Sequence, residues 1–280
     1  MAPSPIRRAL LLAPLCAGSA WALPPRPLAF PRDHGAHPEL RTEWWYLTGQ
    51  AEVSEGPERG RRFGFQLTVF RSRVDEAQAL QSRLAARQLL FAHAAISDLR
   101  GGRLRHAERI ARWNGQPGGP NDAALDDTAL RLGDWQLLRQ GAGYQAQARN
   151  AELSLRLLAA PTQPLLPQGQ AGLSRKGPEP AQASFYYSQP QLAVSGELGL
   201  GGQRWSVNGR AWLDHEWSEA LLHPEAVGWD WVGMNLDGGA SLTAFQLRRA
   251  DGGTLWAGGS WRPEANAPAR VFAPHELRWE

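Results

Sequence analysis

The stretch GRAWLDHEWSEALLHPEAVGWDWVGMNL, residues 209–236, is the part of the chain that decides its interpretation. It contains four of the 13 Trp residues, together with five acids and two His. Aromatic and β-branched residues on both sides of a polar turn predict two extended strands joined by a loop. The remainder of the chain is expected to be the β scaffold that holds these two strands.

Alternation along the first of these strands separates its polar residues into two groups. Side chains on an extended strand point to opposite faces in turn, so Trp212, Asp214 and Glu216 are predicted to share one face and His215 to lie on the other. Asp214 is thus a carboxyl group beside a large apolar side chain, a position that packing alone rarely gives to an acid. We therefore interpret Asp214, His215 and Glu216 as the candidate catalytic residues.

Aromatic residues in this stretch and in two other segments are candidates for ligand binding. Their side chains combine a large apolar surface with a ring face that attracts cations. The predicted ligand-binding residues are Trp45, Tyr187, Trp212, Trp229 and Trp231. Packing of the same rings in the core of a barrel is the competing interpretation.

The composition is typical of a globular protein. Hydrophobic residues make up 42% and charged residues 20% of the 280 residues, enough for one large or two ordinary domains. The 30 Gly and 21 Pro show no period and fit many short strands with turns between them. The net charge is only +3 and no basic run stands out, so nucleic-acid binding is not predicted. No internal stretch approaches the roughly 20 apolar residues that span a bilayer.

Residues 1–22 have the three parts of a secretory signal peptide. Basic residues precede a short apolar segment at residues 9–17, and two Ala around a Trp at residues 20–22 precede a predicted cut before Leu23. The single cysteine, Cys16, lies inside this segment, so the mature chain would have no thiol and would suit an oxidising compartment. A periplasmic or secreted protein is predicted.

Apolar alternation predicts strands at residues 41–53, 62–73 and 88–99, and further short strands follow. Residues 161–182 are rich in Pro and Gly and predict a linker between two β-rich halves. Asp-Gly-Gly sequences at residues 237 and 251 are typical of hairpin turns. The absence of long amphipathic helices favours antiparallel barrels or sandwiches.

Four motifs occur in the order found in a known family: FPRDHGAHPELRTEWWYLTGQ at residues 30–50, FYYSQP at 185–190, AWLDHEWS at 211–218 and GWDWVGMNLDGG at 228–239. On these motifs the chain resembles the AttH-like family, also described as carotenoid 1,2-hydratase-like or as predicted secreted hydrolases. The resemblance implies an all-β fold of two tandem lipocalin-like (calycin) antiparallel barrels behind a signal peptide. The implied domains are residues 30–182, ending in the linker, and residues 183–280, a second barrel that is incomplete at its C-terminal end.

The resemblance also implies a reaction, the addition of water to a terminal C=C bond of an acyclic carotenoid. In a Tyr-His-Asp-His segment of that family the Asp carries the acid role. It corresponds to Asp214, followed by His215, whereas Trp212 and Leu213 replace the Tyr and the first His. Alkene hydration needs an acid that protonates carbon, a stabilised carbocation and a positioned water. A carboxyl in apolar surroundings meets the first need, aromatic rings the second, and His215 or Glu216 the third, without any cofactor.

Two alternatives stay open. The chain could be a carrier for an elongated apolar ligand, an isoprenoid or lipid, with Asp214 in a structural role. Such a carrier would fit an envelope ABC transporter as its partner. Alternatively, His34 and His37 with Glu39 or Glu43 could bind zinc in a secreted hydrolase. These His lie in a loop and the HExxH and GxSxG patterns are absent, so no metal is predicted.

Overall fold

The computed structural model describes residues 23–82, 84–220 and 222–279, so the predicted signal peptide lies outside the described residues. Helical structure in this part consists of four short 3-10 segments, Arg32–His34, Asp75–Ala77, Asp237–Gly239 and Pro274–Glu276. No helix among the described residues is long and apolar enough to cross a membrane. The strands form two antiparallel sheets, which confirms the predicted all-β class.

A large sheet contains thirteen strands. They are β1 (Thr42–Val53), β2 (Arg62–Arg73), β3 (Gln88–Asp98), β4 (Arg103–Trp113), β5 (Asn121–Ala123), β6 (Ala129–Leu132), β7 (Trp135–Gln140), β8 (Gly143–Arg149), β9 (Leu153–Ala160), β10 (Leu166–Pro167), β11 (Leu173–Arg175), β12 (Ala183–Leu200) and β13 (Gln203–Ser218). Their order is β4-β3-β2-β1-β13-β12-β9-β8-β7-β6-β5, with β10 and β11 paired to β12. Because β4 and β5 at the two ends approach each other, the sheet is a nearly closed barrel.

Alternation along the strands fills the interior of this barrel. In β2 the side chains of Phe63, Phe65, Leu67 and Val69 point inward and are buried. The residues between them point outward, and of these only Thr68 is buried. The three strands predicted from apolar alternation correspond to β1, β2 and β3. Arg71 occupies the next inward position of β2 and is fully buried, so a charged group lies inside the core.

The predicted boundary between residues 182 and 183 does not coincide with a division between the sheets. Both β12 and β13, which follow it, pair within the large sheet, and β13 pairs with β1 along its whole length. The predicted linker, residues 161–182, contributes β10 and β11 to the edge of β12. It lies there because β9 pairs only with residues 193–200 and leaves the first half of β12 without a partner on that side. A division into two domains at this point stays a prediction.

The small sheet consists of β14 (Gly228–Asn235), β15 (Ser241–Arg248), β16 (Thr254–Arg262) and β17 (Arg270–Val271) in that order. It is tied to the outward face of β12 and β13 by side-chain hydrogen bonds. Asn235 Nδ2 donates to the Ala211 carbonyl at 2.9 Å. The backbone N–H of Gln191, at a bulge in β12, donates to Asn235 Oδ1 at 2.7 Å. The outward face of β13 is thereby enclosed between the two sheets.

Candidate functional site

Strand β13 presents polar residues to two different environments. Its register with β1 pairs Trp45 with His215 and Tyr46 with Asp214. Trp45 and His215 point into the barrel, whereas Asp214 and Glu216 point toward the small sheet, and all but Tyr46 are buried. The predicted separation of Asp214 and His215 onto opposite faces is therefore what the strand shows.

Asp214 is a buried acid between the sheets. Its Oδ1 accepts hydrogen bonds from Ser188 Oγ at 2.6 Å and from the Trp212 indole Nε1 at 2.7 Å. Burial raises the pKa of Asp214 to about 7, although the bonds from Ser188 and Trp212 oppose the change. A substantial share of the molecules therefore carries a protonated carboxyl group at neutral pH.

Aromatic side chains from both sheets surround this carboxyl. Trp231 of β14 lies edge-on to Tyr46 and to Trp212, with ring centroids 5.8 and 6.5 Å apart. Its indole Nε1 donates to the Tyr186 hydroxyl at 3.2 Å. Burial raises the pKa of Tyr186 well above its ordinary value, so this hydroxyl stays neutral. The surroundings of Asp214 are thus aromatic and uncharged on the side of β14.

The raised pKa of Asp214 predicts a specific pH dependence of stability. The folded state keeps this proton up to about pH 7, whereas the unfolded chain releases it near the ordinary value of 3.8. The folded state therefore binds more protons between these values, and its stability falls as pH rises through this window, by about 4 kcal/mol in total. Asp214→Asn keeps an oxygen that can accept both hydrogen bonds but does not titrate. We expect the free energy of unfolding of this variant, relative to wild type, to rise by that amount between pH 4 and pH 8 in urea titrations. A difference that is constant with pH would contradict the assignment.

Glu216, two residues along the same face, is a paired anion. Its Oε1 accepts from Ser184 Oγ at 2.5 Å and lies 2.9 Å from the Nζ of Lys176, the single lysine of the chain. The Lys176 ammonium also lies over the rings of Tyr186 and Phe245, 4.7 and 4.1 Å from their centroids. Because Phe245 belongs to β15, this cation joins the two sheets. The geometry makes Glu216 a connecting group rather than a free base.

A cavity of about 420 Å³ opens beside this interface, between residues 168–175 and the small sheet. Phe245, Trp256 and Phe272 supply aromatic walls and Gln168 a polar one. Gln168 Nε2 donates to Ser188 Oγ at 2.9 Å, and Ser188 donates in turn to Asp214. Asp214 itself does not line this cavity, but a chain of two hydrogen bonds connects them.

The inward face of β13 meets a second, charged cluster inside the barrel. The Glu43 carboxylate receives hydrogen bonds from His37 Nδ1 at 2.8 Å, from His215 Nε2 at 2.9 Å and from Arg71 Nε at 2.8 Å. The other ring nitrogen of His37, Nε2, lies 3.1 Å from Asp33 Oδ1. All five side chains are buried. We call these five residues, Asp33, His37, Glu43, Arg71 and His215, the interior network.

Burial and hydrogen bonding shift the pKa values of three members of the interior network, Glu43, His37 and His215. Burial alone would raise the pKa of Glu43, but the bonds from His215 and His37 and the charge of Arg71 hold it well below its ordinary value. Burial opposes a charge on His37, yet its bonds to Asp33 and Glu43 raise its pKa. Burial lowers the pKa of His215 to about 4 against the influence of Glu43, so this ring is neutral at pH 7.

Aromatic rings enclose the interior network. Trp217 stacks on His37 at 4.0 Å and Trp45 on His215 at 4.4 Å between ring centroids. The Tyr187 hydroxyl lies 2.8 Å from His34 Nδ1 and 3.2 Å from His215 Nδ1. Tyr187 and Trp45, which were predicted to bind ligand, therefore pack in the interior of the barrel and away from Asp214.

Three members of the interior network, His37, Glu43 and His215, offer donor atoms within 4.8 Å of one another, as a metal site would require. However, the His nitrogens already hydrogen-bond the same Glu43 oxygen, and the Arg71 guanidinium neutralises that carboxylate. His34 of the zinc hypothesis is not among them, because it bonds Tyr187 instead. The contacts therefore fit a hydrogen-bonded network of buried ion pairs.

The structure divides the residues predicted for the site into three groups. Asp214 lies with Trp212 and Trp231 between the sheets, where Glu216 pairs with Lys176, while His215, Trp45 and Tyr187 lie inside the barrel. Trp229 is 54% exposed on β14. Sequence reasoning missed Arg71 and Ser188. Arg71 could have been found from its place in the inward, apolar series of β2, whereas Ser188 shows no signal of its own.

The sequence profile of the AttH-like family matches residues 21–280. The chain belongs to the AttH-like family. Among solved structures, a Nitrosomonas europaea protein assigned to AttH is 40% identical, with a TM-score of 0.81 over 91% of this chain and 75% of that one. Kievitone hydratase from Nectria haematococca is 11% identical, with a TM-score of 0.62 over 88% of this chain and 68% of its own, a likeness that shows the fold alone. No curated protein matches the chain.

Proposed function

We propose that this AttH-like chain binds an apolar small molecule in the cavity beside the small sheet. The observation that carries the proposal is the cavity itself, whose volume of about 420 Å³ falls in the usual range for ligand sites. Phe245, Trp256 and Phe272 offer apolar contact, and Gln168 is a polar group that can orient a ligand. An isoprenoid or lipid is the ligand class that such walls favour.

Trimming the cavity wall tests this proposal. Trp256→Ala removes the largest of the three rings, and we expect the Kd for retinol, an isoprenoid probe, to rise about tenfold or more. Fluorescence titration of purified protein measures it. Leu158→Ala, which removes an exposed side chain of β9 away from the cavity, is the matched control. Equal affinities of wild type and Trp256→Ala for retinol would reject the cavity as the binding site.

Acid-catalysed hydration of a C=C bond is a second candidate function, favoured by the state of Asp214. A carboxyl that burial keeps protonated near neutral pH, beside Trp212 and Trp231, has the properties that this chemistry requires. The aromatic rings can stabilise a carbocation by about 0.5–2 kcal/mol each. A solved structure of similar fold is named a hydratase, which supports this candidate.

The proposed reaction returns the acid to its starting state. The Asp214 proton moves to one alkene carbon, where the π electron pair forms the new C–H bond, and the other carbon becomes a cation. A water oxygen then bonds to the cation, and a water proton passes to the Asp214 carboxylate. Ser188, which donates to the same carboxylate, lies between Asp214 and the cavity side chain Gln168, so a substrate reaches the acid only when Gln168 moves aside.

Export of the mature chain is part of the same proposal. The pattern of residues 1–22 supports it, as does the absence of cysteine after residue 22. An envelope ABC transporter as partner stays a prediction from the family resemblance.

A further inference from the structure

The outward face of β1–β4 carries a line of four apolar side chains. The strand register places Trp44 opposite Phe70, Phe70 opposite Phe91, and Phe91 opposite Ile110. Phe70 and Phe91 stack with ring centroids 4.7 Å apart. Ile110 is 73% exposed, and the other three are half-buried. We call these four residues the outer strip.

The outer strip is narrow and its borders are mostly polar. The neighbouring rows on the same face are Thr42, Ser72, Leu89 and Arg112 on one side and Tyr46, Thr68, His93 and Glu108 on the other. Four adjacent strands make the strip about 14 Å long, and it is one side chain wide. Apolar surface in this arrangement calls for an explanation, because side chains of this size are seldom lined up toward water.

One end of the outer strip lies beside the interface between the sheets. Trp44 pairs across β1 and β13 with Glu216. On β14, Asn235 bonds Ala211 and Trp231 contacts Tyr46, so residue numbers on β14 fall as those on β13 rise. Trp229, two residues before Trp231, is 54% exposed, and this strand direction leads us to expect it on the Trp44 side.

We propose that the outer strip is a second binding site, for a single chain-like apolar molecule such as a fatty-acyl or isoprenoid chain laid across the four strands. The width of the outer strip indicates which kind of molecule it can bind. A stable protein interface covers about 800 Å² on each partner, far more than four side chains in a row provide, whereas one alkyl chain matches a strip with polar borders. This site goes beyond the proposed function, which requires only the cavity.

Calorimetric titration of purified protein with palmitic acid tests the outer strip. We expect wild type to bind two molecules, and Phe91→Ser and Ile110→Ser each to bind one at full strength and the other about tenfold more weakly. Ile110→Ser alters a largely exposed side chain and so leaves folding intact. Octanoic acid, whose chain is about half as long, should occupy the strip at least tenfold more weakly than palmitic acid.

Two further variants separate the strip from the cavity. Trp256→Ala should lose the cavity site and keep the strip site, while Leu158→Ser, at another exposed apolar position, should keep both. A single wild-type site that only Trp256→Ala removes would leave the cavity proposal standing and reject the outer strip. Two sites that survive both Phe91→Ser and Ile110→Ser, or that Leu158→Ser weakens equally, would also reject it. If palmitic acid binds no form of the protein, the outer strip is rejected, whereas the cavity proposal still depends on the retinol titration.

Discussion

Replacing Glu43 by glutamine is expected to lower the free energy of unfolding by about 3–5 kcal/mol. Glutamine has nearly the same shape but no charge, so Arg71 would remain buried without its anion and His37 would keep only Asp33 as a carboxylate partner. Urea denaturation at pH 7 measures the change. Glu108→Gln, at a side chain that is 64% exposed, is the matched control and should change stability by less than about 0.5 kcal/mol.

The interior network should also show coupling. Because Arg71 bonds Glu43 directly, Arg71→Met and Glu43→Gln are expected to be less destabilising together than the sum of the two single changes. Each single variant leaves a buried group without its partner, whereas the double variant removes both charges of the pair. Additive effects, or a Glu43→Gln cost below about 1 kcal/mol, would mean that the network does not stabilise the fold.

Alternation was enough to predict the strands and the faces of their residues, because burial of one face imposes a period of two on the sequence. It placed Asp214 and His215 correctly on opposite sides of β13. Alternation could not show which residues contact each face of β13. The contact between His215 and Glu43 joins residues 172 positions apart and depends on the pairing of β13 with β1, which no local pattern specifies.

The consecutive tyrosines of FYYSQP show the same limit. Successive residues on a strand face opposite ways, so one of Tyr186 and Tyr187 had to lie on the side of Asp214. Tyr187 was predicted to bind ligand, but the register pairs it with His215 inside the barrel, and Tyr186 is the one near Asp214. Likewise, HGAHP was interpreted as a loop that could hold zinc, because the sequence does not show that a buried carboxylate from β1 satisfies His37.

Pro and Gly at residues 161–182 predicted a linker for a similar reason. These residues do interrupt regular structure, but the segment still supplies β10 and β11, where the first half of β12 needs hydrogen-bond partners. Gln168 in this segment then reaches both Ser188 of the large sheet and Thr243 of the small one. Residues 161–182, which the sequence predicts as a linker, therefore contact both sheets.

Asp214→Asn is expected to reduce hydration of an acyclic carotenoid by about 10²–10⁴-fold, the usual contribution of a general acid, while apolar ligand binding stays within a few-fold of wild type. The amide keeps an acceptor for Ser188 and Trp212 but has no proton of suitable acidity to give to carbon. Chromatographic detection of the hydroxylated product and titration with retinol measure the two quantities separately.

The wild-type rate should itself decline as pH rises through about 7, because the reaction needs the protonated carboxyl of Asp214. Asp230→Asn, at a half-buried acid of β14 that is paired with Arg248, is the matched control and should keep both activities. Lost turnover with retained binding would place Asp214 at the chemical step. Unchanged turnover in Asp214→Asn would exclude Asp214 as the acid. A wild-type protein that binds retinol but does not hydrate the carotenoid would favour the carrier function, with Asp214 in a structural role between the sheets.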